Sequence, residues 1–472
     1  MIEEMRLKMH TTFLSPLDQI MPRNHIRIAL VFSTNNYNLA LLNLQSGLER
    51  TCQTLPLLKG RIFNKSSDRD QLAISWDASS STPIIRELPV PDGYPSYAKL
   101  LANAGSIEPY AFSLFPFMER GKESEEEGAQ VFGAAYVKIE GGFILFMSMH
   151  HNVMDGPGFG EFVKIWARNT SLKDFSTLDL RPNTNELSTR KARILEQLSY
   201  TPKKGDRPVT AVDILAKHCE YTLKSPLPQS EQTLSVVVPM EPSSSRVFTF
   251  SHQKLNAVKT SLANTVDSSF LTINNILSAI IWSHISQIRC TRTSHPEPSP
   301  ISRLGFAVNG RRILNLLSPP YLGNVAFLAQ AELSMSSFSA VSHTTHDGLA
   351  PIISAIATAT RQIDRSHIAE LTQLPDLLPS LSDLVFGWNI LGGPHLSITS
   401  WAELGLYDVN FGDALGKPHI VRVPDVPRDG LVIILPRRRE KGTEEKIEIA
   451  VYLRRDDMER LDKDDAWRSW YH

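Results

Sequence analysis

Cysteine is scarce in this sequence. Three occur in 472 residues, Cys52, Cys219 and Cys290, far apart and with no C-x-x-C pair. That excludes a disulfide framework and a zinc ribbon, and it fits a reducing compartment. A net charge of one sign is lacking too. With 49 basic and 50 acidic residues the formal net charge is -1, so no global field draws in nucleic acid, and none is expected as a partner. No apolar run reaches the ~18–20 residues of a membrane span. The opening residues, Met-Ile-Glu-Glu-Met-Arg-Leu-Lys-Met-His, carry acidic side chains and no apolar h-region, so they do not read as a signal peptide. A cytoplasmic location without a membrane span is the expectation. There is no internal repeat and no Gly-rich phosphate loop of the P-loop or dinucleotide type.

What is present is an ordinary globular composition, 42% apolar and 21% charged. The chain is too long for one core, because single cores stop growing near ~250–300 residues, so two domains are expected. The polar, Pro-bearing stretch 170–230 reads as a crossover linker with some helix over 211–221. Taking 191–232 as the linker proper divides the chain into 1–190 and 233–472.

Before the linker, 26–32 is an apolar, strand-like run. Over 38–55, Leu41, Leu44, Leu48 and Leu55 recur at near-helical spacing. Residues 121–130, rich in Glu, read as a solvated loop. Residues 131–139 and 143–149 form a predicted hairpin about Glu140-Gly141-Gly142. Beyond the linker, 234–238 and 246–250 read as strands, 252–262 and 272–289 as helices, and 291–300, with three prolines, as a loop.

The second hairpin strand runs directly into His150-His151-Asn152-Val153-Met154-Asp155-Gly156. Gly156-Pro157-Gly158 follows, and then Phe159, Phe162, Val163 and Trp166 at helical spacing. A strand end, two histidines, a Gly-rich turn and a helix make a place where side chains project into a cleft. Imidazole is the side chain whose unperturbed pKa suits a general base. Strand alternation points His150 away from His151 and makes it structural, and it also separates the two rings as metal ligands. No metal is expected. Asp155 can fold back to order the loop without touching the imidazole, and Gly156 permits close backbone approach.

The segment His151-Asn152-Val153-Met154-Asp155-Gly156 resembles the H-x-x-x-D-G motif of BAHD-type acyltransferases. Asn410-Phe411-Gly412-Asp413-Ala414-Leu415-Gly416-Lys417-Pro418 resembles the family's D-F-G-x-G-K-P segment, with the longer spacing of its fungal branch, the trichothecene 3-O-acetyltransferase-like enzymes. Leu14-Ser15-Pro16-Leu17-Asp18, the helix-like stretch Thr272-Ile273-Asn274-Asn275 through Trp282, Tyr321-Leu322-Gly323-Asn324, Thr399-Ser400-Trp401 and Asp429 through Pro436 match further family segments. The matches keep family order over nearly the whole chain. Two positions depart from the pattern: Asn410 replaces an Asp, and Ala414 a Gly or Trp.

The resemblance implies a mixed α/β (α+β) protein. It would have two chloramphenicol-acetyltransferase-like domains, each a mixed β-sheet flanked by helices, with a tunnel at their interface. It implies an acyl-CoA-dependent O-acyltransferase, acetyl-CoA first among donors, acting on a hydroxyl of a small secondary metabolite. Acyl-CoA is then a co-substrate and no permanent cofactor is expected; the chain is expected to be a monomer. His151 would be the general base in a ternary complex without an acyl-enzyme. Asp155 would order the loop through an arginine of the other domain, Arg311 before Arg312. Trp401 and Thr399 would position the thioester and oxyanion, and Gly156 and Asn324 would support the loop. Asn410, Gly412, Gly416 and Lys417 would lie at CoA. Lys254, Lys259 and Lys417 are candidates for the phosphates, whereas Arg437-Arg438-Arg439 reads as the cap of a solvated loop. N-acylation uses the same base, and carrier-protein condensation domains share the histidine motif; both remain open, as does a catalytically silent binding module.

Overall fold

A computed structural model describes residues 10–65, 69–77, 79–117, 128–172, 187–198, 209–224, 242–290, 301–339, 346–391, 393–439, 442 and 444–471. The expected strand at 234–238, the loop at 291–300 and most of the Glu-rich loop, 121–127, lie outside the described residues.

The first half is built on a mixed five-stranded sheet, in the order Ile420–Arg422, His25–Ser33, Gly142–His150, Phe132–Ile139, Arg86–Glu87. All nine residues of Gly142–His150 are buried, which accounts for its unbroken apolar sequence: a central strand covered on both faces needs no polar alternation. Its hairpin with Phe132–Ile139 turns at Gly141, whose φ of 72° is one that L side chains rarely adopt. On the other side it pairs antiparallel with His25–Ser33 in a register that sets His25 opposite His150.

Two helices cover this sheet. Tyr37–Thr54 is N-capped by Asn36, whose side chain accepts from Leu39 N–H, and it buries Leu44 and Leu48. It packs against Gly156–Ser171, and the contact is close at Gly47, where an added Cβ would lie 2.3 Å from Thr170 Oγ1. A smaller antiparallel sheet, His10–Phe13, Leu72–Trp76, Arg61–Asn64, Ala129–Gln130, flanks the same half.

The second half holds a mixed six-stranded sheet, Ser243–Ser251, Lys446–Arg454, Leu431–Ile434, Leu396–Ser400, Ile301–Asn309, Ala326–Ser334. Helix Ile273–Cys290 is buried along most of its length in the core of this half.

The two halves exchange chain. Residues Leu404, Leu406, Val409, Phe411, Leu415 and Val421, far along the sequence, belong to the first half's core, and Ile420–Arg422 is the edge strand of its sheet. A division at 233 therefore does not separate the sheets. Helix Leu187–Leu198 buries Leu187 in the first core and Ile194 in the second. The stretch expected to be helical over 211–221 is a short helix, Ala211–Leu215, followed by a strand, Tyr221–Leu223, that pairs with Leu384–Phe386.

Candidate active site

The strand Gly142–His150 ends where the chain must turn, and the turn is pinned at nearly every residue. His151 N–H donates to Asn24 O at 2.7 Å. Asn152 Nδ2 donates to Asp18 O at 2.7 Å and Met21 O at 2.9 Å. Val153 O accepts from Arg190 Nη1 at 2.7 Å. Asp155 then N-caps helix Gly156–Ser171, its Oδ1 accepting from Gly158 N–H at 2.8 Å.

The Asp155 carboxylate is fully engaged, and not with the imidazole. Oδ1 also accepts from Arg311 Nη2 at 2.7 Å, while Oδ2 accepts from Arg311 Nη1 and from Val325 N–H, both at 2.9 Å. Arg311 uses its remaining donors on Tyr321 O, Gly323 O and Asn309 Oδ1. Both side chains are buried, so this is a two-pronged ion pair in a dry place, joining the helix N-terminus of one half to the 309–325 segment of the other. Arg312 is exposed and makes no bond to Asp155. A second buried carboxylate, Asp18, accepts from Asn324 N–H and Nδ2 through Oδ1, at 2.9 and 2.7 Å. Its Oδ2 accepts from Ser15 Oγ at 2.7 Å and faces Arg190 Nη1 at 3.5 Å. Arg190 went unseen in the sequence, since one arginine in a polar helix carries no signal of its own.

His150 is buried, with its ring edge-on to His25 at 4.9 Å and its Nδ1 accepting from Asn152 N–H. His151 keeps partial exposure. Its Nδ1 is buried without a hydrogen bond, as is Asn324 Oδ1 beside it, so the accessible side of the ring carries Nε2. Burial pulls the His151 pKa below its ordinary value, more than Asp155 and Asn324 raise it, and the ring is neutral at pH 7. The three cysteines are free, and burial raises the pKa of each thiol, that of Cys52 to about 12. None is a ready thiolate.

A cavity of about 590 Å³ opens between the halves next to this loop. Pro157, Glu161 and Lys164 of the helix that Asp155 caps form one wall. Asn309, Arg311 and Arg312, together with Ser400 and Ala402 on either side of Trp401, form the other. His151 itself is not part of that lining. A second hollow, about 760 Å³, lies within the first half along Arg61, Trp76 and Phe115–Phe117; its Phe117 ring lies 5.1 Å from His25, the ring that meets His150 edge-on. Trp401 Nε1 is close to the loop: a Cβ added to Gly156 would sit 3.3 Å from it. Thr399 lies in strand Leu396–Ser400, paired with Ile433, and is half-buried.

The segment 410–418 is elsewhere. Phe411 is fully buried against Phe32 and Trp166, and Phe411 N–H donates to Gly416 O. Gly412 and Gly416 have φ of 85° and 66°, which lets the segment fold back on itself. Asn410 caps that turn, accepting from Gly412 N–H at 2.9 Å, and Lys417 faces Asp408 at 3.6 Å on the surface. None of Asn410, Gly412, Gly416 and Lys417 lines the interdomain cavity, because Phe411 anchors the segment in the first core. Lys254 donates to Ser469 O, away from the cavity. The cavity's cations are instead Lys164, Arg311, Arg312 and Arg437. Arg437, expected in a solvated cap, is mostly buried and paired with Glu445.

With this geometry in place, comparison with known proteins is informative. A family described as the transferase family matches residues 121–466, and a trichothecene 3-O-acetyltransferase-like N-terminal domain matches 25–169. The trichothecene 8-O-acetyltransferase of Fusarium sporotrichioides is 30% identical, over 98% of both chains. The structure of F. graminearum TRI101 complexed with coenzyme A and T-2 mycotoxin aligns with a TM-score of 0.77 and 19% identity, covering 98% of this chain and 99% of that one. Vinorine synthase aligns at 0.61 with 18% identity, covering 99% and 94%. These two show the shared two-domain fold, and the sequence matches show the lineage: the chain belongs to the transferase family of BAHD-type acyltransferases.

Proposed function

We propose that the protein transfers an acyl group, acetyl above all, from acyl-CoA to a hydroxyl of a small secondary metabolite, with His151 as general base. One observation carries the reading: a histidine kept neutral by burial stands on a loop locked across both halves by Asp155 and Arg311, and that arginine and the helix Asp155 caps wall an interdomain cavity. The O-acetyltransferase names of the relatives, and the coenzyme A bound to TRI101, support the substrate classes.

In this mechanism Nε2 of His151 takes the acceptor's hydroxyl proton as its oxygen attacks the thioester carbonyl. The tetrahedral intermediate collapses, the C–S bond breaks, and the proton passes to the leaving thiolate as free CoA. No covalent enzyme intermediate forms. Asn324 Oδ1, buried beside Nδ1, favours the tautomer that keeps the proton on Nδ1 and leaves the Nε2 lone pair free. Trp401 Nε1–H, with Thr399, steadies the developing oxyanion. Arg312, exposed at the cavity wall, is the cation best placed for a CoA phosphate, since Lys164 and Arg437 are already paired with Glu161 and Glu445. The loop-ordering pair is positional, with Gly156 leaving room for Trp401. Three free thiols fit a cytoplasmic enzyme, and acceptor and acyl-CoA are its only required partners, so we take it as a monomer.

The test is release of free CoA thiol from acetyl-CoA with hydroxylated acceptors drawn from a metabolite extract. His151→Ala should lower turnover by about 10²–10⁴ while leaving the fold intact. Turnover equal to wild type in that variant would overturn the assignment.

A further inference from the structure

Away from the interdomain cavity, His218, Glu220 and His367 bring one ligand atom each within 4.8 Å of one another. His218 and Glu220 sit just before strand Tyr221–Leu223, and His367 opens helix Arg365–Leu371, whose N-cap Asp364 accepts from His367 N–H at 2.9 Å. The backbone there is held closely. Gly387 N–H donates to Glu220 O at 3.0 Å, and a Cβ on Gly387 would lie 1.9 Å from Cys219 O. Glu220 Oε1 lies 3.1 Å from His218 Nδ1 and 3.0 Å from His367 Nε2, and the two rings are 4.3 Å apart. His367 Nε2 is buried, and the Glu220 carboxylate faces it at 3.0 Å.

We propose that His218, Glu220 and His367 form a structural site for one divalent transition-metal ion of the zinc class. Two imidazole nitrogens and a carboxylate oxygen are a zinc-type donor set. Donors about 2.0–2.1 Å from a tetrahedral ion stand about 3.3–3.4 Å from each other, so the two spacings from Glu220 Oε1 need to open by only a few tenths of an ångström. His218 Nε2 lies 2.9 Å from Glu370 Oε2. A carboxylate accepting from the outer nitrogen fixes the tautomer that presents Nδ1 to a metal. Glu370, itself bound by Lys217 Nζ at 2.6 Å, thus serves as the outer partner, and water completes the coordination. The ion would bridge Glu220 Oε1 and His367 Nε2, which face each other directly at 3.0 Å. It would also clamp the segment after the crossover to helix Arg365–Leu371 and strand Leu384–Phe386.

Protons compete for the same place. Burial lowers the His218 pKa, but hydrogen bonds to Glu220 and Glu370 outweigh it and leave the pKa above its ordinary value, so metal uptake weakens as pH falls through that range. None of these residues takes part in the proposed acyl transfer, and the inference stands or falls apart from it.

Chelator-stripped, full-length protein is loaded with Zn²⁺, dialysed, and its metal counted by mass spectrometry. Close to one ion per chain is expected for the wild type and for the surface control His252→Ala, and close to none for Glu220→Gln and His367→Ala. Wild-type unfolding temperature should rise with added Zn²⁺. Should the variants fold poorly, Co²⁺ loading of the wild type decides: a ligand-field absorption of low-symmetry, nitrogen-bound Co²⁺ supports the site. Its absence, or a metal content that the cluster variants leave unchanged, overturns the proposal.

Discussion

Changing Asp155 to Asn tests what this residue is for. The wild-type carboxylate accepts four hydrogen bonds, from Gly158 N–H, Val325 N–H and both terminal nitrogens of Arg311. An amide retains one acceptor. Placing its oxygen at Oδ1 preserves the helix cap and one arginine contact, but it sets an N–H₂ donor against Val325 N–H and Arg311 Nη1. Placing it at Oδ2 sets the donor against Gly158 N–H and Arg311 Nη2. Either way two donors face a donor, and Arg311 stays charged, buried and without its counter-ion. Breaking one side of a buried pair costs about 3–5 kcal/mol, a figure that already contains the penalty of the donors left unsatisfied, so a loss of about 4 kcal/mol is expected. Against a domain stability of about 5–15 kcal/mol that is a large fraction. Chemical denaturation of Asp155→Asn reads it directly as a fall in midpoint at unchanged slope. A loss under about 1 kcal/mol, with turnover falling as far as in His151→Ala, would refute the reasoning and make Asp155 a direct partner of the imidazole.

Four further outcomes follow from the site. The rate with acetyl-CoA should show an acid limb with its midpoint below pH 6.5, because burial holds His151 below its ordinary pKa; it should be flat through pH 7–8, and a midpoint above the ordinary value would contradict the burial. The same burial affects stability with the sign of a depressed histidine: the unfolded chain binds the proton more readily, so His151 favours folding above pH 6.5, and that contribution is lost as pH falls. Trp401→Phe keeps the ring's packing and removes one donor, and kcat should fall about 10²-fold with little change in KM, as initial rates will show. Gly158→Ala places a Cβ 2.1 Å from Leu322 O, backbone that cannot swing aside, and thermal unfolding should register a loss of about 3 kcal/mol.

Local order in this protein was legible in the sequence because it rests on short-range rules. The all-apolar run of 143–149 with Gly141 before it determines a hairpin strand, as read; the helix expected from Phe159 begins earlier, at Gly156, because the Asp155 carboxylate caps it. The ordered motifs determined family and chemistry. Tertiary structure decided everything that depends on residues far apart in the chain. Phe411 buries itself against Phe32 and Trp166, which takes 410–418 away from the cavity and into the first core. Arg437 turns from a solvated run into a cavity wall because Glu445 pairs with it. Arg190 reaches Val153 O across 37 residues of chain, and His218 meets His367 only where Tyr221–Leu223 pairs with Leu384–Phe386. A single charged residue has no period and no spacing that foretells its partner. Burial selects the partner, because an unpaired charge inside the protein is too costly to persist.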